Sequence, residues 1–193
     1  MNQTKEIILA SGSPRRTELL AQLGVNFSVL VTDIDESRRS AESPTEYVKR
    51  MAREKSLAGW QMSGAGLPVL GADTIVLLDD IILGKPDNRE QAAEMLRMMS
   101  NRTHLVLSAV ALTMDADHLE LKLNTTRVTF SEMPEAFIRR YCCSEEPMDK
   151  AGAYAIQGLP GRYVSRIEGS YSGVMGLPLY ETGYLLEFAG ILI

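Results

Sequence analysis

Leu9-Ala10-Ser11-Gly12-Ser13-Pro14-Arg15-Arg16 is the stretch on which the reading of this chain turns. Leu9 and Ala10 end an apolar strand, Ser11 to Ser13 make a small hydroxyl-rich turn, and Pro14 opens a helix. Proline suits the first helical position because its missing N–H would be unpaired there anyway, and Ser13 stands where a cap is needed. The turn leaves backbone N–H groups at the positive end of a helix, which suits an anion. Two arginines follow, and guanidinium forks grip phosphate oxygens in pairs. The same residues also fit an ordinary capped helix start with solvated charges. Arg16, however, lies three and four residues before Leu19 and Leu20 and so points along the buried stripe. A charge placed there needs a partner, which makes the stretch a candidate phosphate cradle.

Working outward, the periodicity predicts a strand at 6–10, a helix at 14–23, a strand at 27–31 and a helix at 44–59. A strand at 68–78, a short hairpin partner at 81–83 and a helix at 88–99 follow. Then come long strands at 104–113 and 118–130 and a helix at 134–142. A glycine-rich stretch covers 151–176 with strand character at 162–168, and a helix closes the chain at 178–188. Asp79-Asp80 and Met114 to Asp117 read as hairpin turns, so the sheet is expected to be mixed, in a layered α/β or α+β fold. No repeat or long linker interrupts the pattern, and one domain over 1–193 is expected.

A chain of 193 residues can form one substantial core or two lobes. Its apolar and charged fractions, 45% and 23%, are those of an ordinary globular protein. A net charge of −5 argues against a nucleic-acid surface, so any phosphate site is a local basic pocket suited to a small polyphosphate. The two cysteines, Cys142 and Cys143, are adjacent and build no disulfide framework, which points to a reducing compartment. No run of about 18 apolar residues exists to span a membrane, and a cytoplasmic location is expected.

Three further features carry chemistry. Ser43 and Glu46 form a capping box ahead of a helix on whose apolar stripe (Tyr47, Val48, Met51, Ala52, Ala58) Lys55 falls near the middle. Lys55 either snorkels to water or points into a cleft toward phosphate. Asp73 interrupts the apolar run Val69 to Leu78, where a carboxylate must be paired, bound to a metal or set at a break, and Gly71 and Ala72 beside it leave room for a ligand. Asp33-Ile34-Asp35-Glu36 offers carboxylates on a loop, and one or two carboxylates with substrate phosphates is the usual way to hold Mg²⁺. Lys85 sits on the turn Gly84-Lys85-Pro86. Gln157 is the one amide of a glycine- and alanine-rich segment able to approach a flat ligand. His104 and His118 lack partners at metal spacing and read as structural.

The order of Leu9 to Arg16, Asp35-Glu36, Ala52-Arg53-Glu54-Lys55, Gly71-Ala72-Asp73-Thr74, Gly84-Lys85-Pro86, Asp149 to Tyr154 with Gln157-Gly158, and Gly176-Leu177-Pro178 resembles the Maf family of nucleoside triphosphate pyrophosphatases along nearly the whole chain. The resemblance implies an α/β fold with a mixed, elongated twisted sheet flanked by helices and two lobes around a deep cleft, Maf/Ham1-like and usually dimeric. It implies hydrolysis between the α and β phosphates, releasing a nucleoside monophosphate and pyrophosphate. By position, Asp73 resembles the general base and Glu36 the ligand of a divalent metal, Mg²⁺ or Mn²⁺. Ser11, Ser13, Arg16, Lys55 and Lys85 resemble the triphosphate grip. Arg15, Thr74 and Gln157 resemble the positions that sort subfamilies, in the combination of the dTTP/UTP pyrophosphatases. The expected partners are a nucleoside triphosphate and a second copy of the chain, with neither nucleic acid nor membrane. Two alternatives stay open: a preference for modified pyrimidine triphosphates, and a nucleotide sensor linked to septum formation.

Overall fold

In the computed structural model, residues 6–64 and 66–192 are described. Seven strands form one mixed sheet: β1 (Ile7–Ala10), β2 (Phe27–Val29), β3 (Val69–Leu78), β4 (Ile81–Leu83), β5 (Thr103–Thr113), β6 (Leu119–Phe130) and β7 (Val164–Glu168). Their order is β2-β1-β3-β5-β6-β7, with β4 also paired to β3. β1 runs parallel to both β2 and β3, whereas β3 with β4 and β6 with β7 are antiparallel. The helices are α1 (Pro14–Ala21), α2 (Pro44–Met62), α3 (Arg89–Met99), α4 (Glu135–Cys142), α5 (Tyr171–Met175) and α6 (Leu179–Phe188). No helix among the described residues is long and apolar enough to cross a membrane.

Contacts divide the chain into two units. The first comprises 1–73, 108–124 and 176–193; the second comprises 74–107 and 125–175. In the first, Ile8, Ala10 and Val69 form a buried cluster backed by Leu30, Trp60 and Leu67. In the second, α3 and α4 contribute Leu96, Met99 and Ile138 to a larger core with Val76, Phe130 and Tyr154.

Several element ends differ from the sequence reading. α1 stops at Ala21, two residues before the expected end, because Gln22, Leu23 and Gly24 donate to carbonyls three residues back and Gly24 turns at φ +69°. α2 runs past Gly59, which the sequence marks as its end. A Cβ at Gly59 would lie 2.9 Å from Val69 and 3.0 Å from Ala10, so the glycine lets the helix lie flat on β1 and β3. β2 ends at Val29 rather than 31. The strand expected at 162–168 begins only at Val164, after a 3₁₀ segment over Leu159–Tyr163, and the short α5 has no periodicity to announce it.

Candidate active site

The site grows from the buried face of α2. Its capping box forms as expected: the Glu46 amide donates to Ser43 Oγ at 3.2 Å and the Ser43 amide to Glu46 Oε2 at 2.8 Å. That face buries Val48, Met51, Ala52, Lys55, Ser56 and Gly59. Ser56 Oγ donates to the Val69 carbonyl at 2.7 Å and accepts from the Thr113 amide at 3.0 Å, which fixes the helix over β3 and β5. Gly71 sets the closeness of that packing. A Cβ there would collide with the Ala52 carbonyl oxygen and the Ser56 amide. The room read at Gly71 for a ligand is therefore filled by the backbone of α2.

This packing brings Lys55 over Asp73. Lys55 Nζ donates to Asp73 Oδ1 at 2.8 Å and lies 2.9 Å from Glu36 Oε1. Of the two readings of Lys55, the inward one holds: it is 9% exposed and Asp73 8%, while the Glu36 side chain is 55% exposed. One ammonium thus joins a strand carboxylate and a loop carboxylate. Tyr47, about two turns before Lys55 on α2, donates its hydroxyl to the Glu36 carbonyl at 2.8 Å. Burial, then the charges of Asp73 and Glu36, push the Tyr47 hydroxyl above its usual pKa.

β1 delivers the cradle to the same place. Its register pairs Ala10 with Gly71, so Ser11 emerges where β3 continues toward Asp73, at the carboxyl end of parallel strands where α/β sheets bind ligands. The Arg16 Nε donates to the Gly176 carbonyl at 2.9 Å, and Nη1 donates to Ser11 Oγ at 3.3 Å. Burial pulls the Arg16 guanidinium below its usual pKa, and the charge of Asp73 opposes that pull. Ser13 occupies the N-cap position but its side chain makes no capping bond; its amide instead donates to Ser11 Oγ at 3.2 Å. The hydroxyl that organises the turn is that of Ser11. Arg15 is partly buried beside Arg16.

Ser11, Ser13, Arg15, Arg16, Glu36, Lys55 and Asp73 all belong to the first unit, and the geometry joins Ser11 to Arg16 and Glu36 to Lys55 and Asp73. Thr74, Lys85 and Gln157 belong to the second unit. There Thr74 is partly buried on β3, and Lys85 and Gln157 are exposed. Gly152 of the glycine-rich segment turns at φ +69°, with its Cα facing Val76 and its amide bonded to the Gly84 carbonyl at 3.0 Å. That glycine serves internal packing rather than a flat ligand. Sequence reasoning missed Tyr47 and Gly176 as site neighbours. Tyr47 carries the apolar periodicity of α2, and the Gly176 contact is 160 residues from Arg16.

The profile of the Maf family, described as Maf-like protein, matches residues 6–189. The chain is 54% identical over 181 residues to the dTTP/UTP pyrophosphatase of Escherichia coli (strain K12), covering 94% of this chain and 91% of that protein. A Shigella flexneri relative named nucleoside triphosphate pyrophosphatase matches with the same identity and coverage. Among solved structures, a HAM1 protein from Coxiella burnetii is similar with a TM-score of 0.53 at 15% identity, covering 95% of this chain and 99% of that one, a likeness of fold. With a match across nearly all its length, the chain belongs to the Maf family.

Proposed function

We propose that this protein is a nucleoside triphosphate pyrophosphatase that splits dTTP and UTP between the α and β phosphates, giving the monophosphate and pyrophosphate. The observation that carries the reading is the convergence of Glu36, Lys55 and Asp73 in a chain 54% identical to a dTTP/UTP pyrophosphatase.

The donor set also fits a divalent cation. Lys55 is already neutralised by two carboxylates, so a polyphosphate laid beside it needs more positive charge. One or two carboxylates, with substrate phosphate oxygens completing the shell, are how Mg²⁺ is commonly bound. Among the described residues no cluster of three or more His, Cys, Asp or Glu forms, which suits a metal shared with its substrate rather than a dedicated cage. Glu36 would hold Mg²⁺ or Mn²⁺, which when bound supplies positive charge to the phosphate and acidifies water.

The chain's own residues do the rest. Asp73, oriented by Lys55, takes the proton of the attacking water. Arg16 and Ser11, with Ser13 and Lys85, grip the phosphates, and Lys55 faces the charge that grows on them. Arg15, Thr74 and Gln157 distinguish pyrimidine from other bases. A cytoplasmic homodimer belongs to the same reading; free Cys142 and Cys143 support a reducing compartment.

Pyrophosphate release, measured across pyrimidine, modified pyrimidine and purine triphosphates with Mg²⁺ or Mn²⁺, tests this function. Monophosphate and pyrophosphate from dTTP and UTP are expected. Binding of dTTP without turnover would point instead to a sensor, and nucleoside diphosphate plus phosphate would contradict the bond assignment.

A further inference from the structure

Residues 30–43, between β2 and α2, carry Glu36 yet form neither helix nor strand. A carboxylate on such a segment has no reason of its own to stay opposite Lys55. Its exposure, 55% at the side chain, shows that packing does not hold it. What holds it is therefore a question about its neighbours.

Arg50 answers it. Its Nε donates to Glu42 Oε1 at 2.6 Å and its Nη2 to Glu42 Oε2 at 2.8 Å, a two-pronged bond in which both side chains are nearly buried, 12% and 9% exposed. The same Nη2 donates to the Ser37 carbonyl at 2.9 Å, one residue past Glu36. Nη1 donates to Glu54 Oε2 at 3.2 Å, anchoring the guanidinium on α2 itself. Glu42 in turn accepts from the Arg39 amide at 3.1 Å, and its own carbonyl accepts from Arg38 Nε at 2.9 Å. Tyr47, one turn from Arg50, takes the Glu36 carbonyl, and the Arg50 guanidinium lies 5.5 Å from the Tyr47 ring centre. The Glu42 carboxyl is held at about 2, first by its bonds to Arg50.

The loop is thus pinned at the Glu36 and Ser37 carbonyls, and again at Glu42, to residues one helical turn apart on α2, the helix that carries Lys55. We infer that Arg50 is a positioning residue: its guanidinium clasps the loop after Glu36 to α2 and so sets the Glu36 carboxylate opposite Lys55 and Asp73. A lysine cannot replace it, since a single ammonium cannot bridge both Glu42 oxygens and the Ser37 carbonyl in one plane. The inference rests on the proposed role of Glu36 toward a divalent cation. Partners one shell out from a ligand commonly change metal affinity by about 10–100-fold when removed.

The test is a Mn²⁺ titration by calorimetry on the full chain in the presence of the α,β-imido analogue of UTP. Arg50→Met is expected to bind Mn²⁺ at least about tenfold more weakly than wild type, with Arg50→Lys close to it. Arg97→Met, which removes an equally two-pronged but exposed pair with Glu135, is expected to leave Mn²⁺ affinity unchanged. Because Arg50 acts through Glu36, the double variant Glu36→Gln with Arg50→Met should bind no more weakly than Glu36→Gln alone. Glu42→Gln, which keeps an acceptor but loses the charge, serves where Arg50→Met does not fold and should weaken Mn²⁺ binding in the same direction. Wild-type Mn²⁺ affinity in Arg50→Met, additive losses in the double variant, or no Mn²⁺ binding by the wild type would each overturn the inference. A wild type that binds Mn²⁺ and the analogue but releases no pyrophosphate overturns the proposed function and leaves Arg50 to be judged by the titration.

Discussion

Asp73 on β3 and His104 on β5 are both polar side chains buried in strands of the sheet, 8% and 2% exposed, and they meet burial in opposite ways. Asp73 is matched by a cation, Lys55 at 2.8 Å, which also touches the half-exposed Glu36. His104 is enclosed by rings. Its Nε2 bonds the Tyr154 hydroxyl at 2.8 Å, and its centroid lies 5.2 Å from Phe130 and 5.5 Å from Tyr154. Burial holds the His104 imidazole at about 4 and pushes the Tyr154 hydroxyl up, so this pair is neutral across the physiological range. A buried charge with an accessible partner is equipped for chemistry; a buried neutral pair inside an aromatic cluster is equipped for cohesion.

Removing the cation breaks the comparison hardest. Lys55→Met leaves two carboxylates facing each other, and a loss of about 3 kcal/mol of stability is expected in urea unfolding, with pyrophosphate release down at least about 100-fold. Unchanged stability would mean that the pair is solvated rather than buried.

The neutral pair predicts a pH effect. The His104 pKa is depressed in the folded state, so the unfolded chain binds more protons between about 4 and the ordinary histidine value of 6.5. The contribution is complete above 6.5 and is lost as pH falls toward about 4, up to about 3 kcal/mol. In His104→Phe the unfolding midpoint should be flatter across that window, with turnover at pH 8 within about twofold of wild type. Glu42 and Glu135, each held at about 2 by arginine hydrogen bonds, lose their contributions lower, as pH falls from 4.5 toward about 2. The two windows separate the histidine from the arginine-bound carboxylates.

Smaller effects refine the placement of Lys55. Gly71→Ala pushes α2 off β3 and is expected to cost about 2 kcal/mol, lowering turnover as Lys55 shifts from Asp73. Ser43→Ala removes the capping box and is expected to cost about 1 kcal/mol by thermal unfolding, with turnover unchanged.

The place of Arg16 and Lys55 on the apolar stripes of their helices is legible in the sequence because the 3.6-residue period fixes which face a side chain shares, whereas the inward aim of Lys55 is decided only by the fold. The solitary Asp73 is legible because an apolar strand makes a carboxylate conspicuous. Their meeting is not, since Lys55 and Asp73 are 18 residues apart and no local spacing pairs them. Glycines mislead for a related reason. Gly59 looks like a helix stop and Gly71 like room for a ligand, yet Gly59 is small because the Val69 and Ala10 side chains press on it, and Gly71 because the backbone of α2 does. Glycine shows that something comes close without saying what. Arg50 and Glu42 look like surface charges for the same lack of local spacing, and only the folded loop brings them together.

The central claim is that Asp73 serves the reaction rather than the fold, and Asp73→Asn tests it most directly. The amide keeps the shape and an oxygen for Lys55 but cannot take a proton from water. Calorimetry with dTTP should give an affinity within a few-fold of wild type, while pyrophosphate release falls about 10³-fold. Turnover within about tenfold of wild type in a folded, dTTP-binding Asp73→Asn protein would contradict the account.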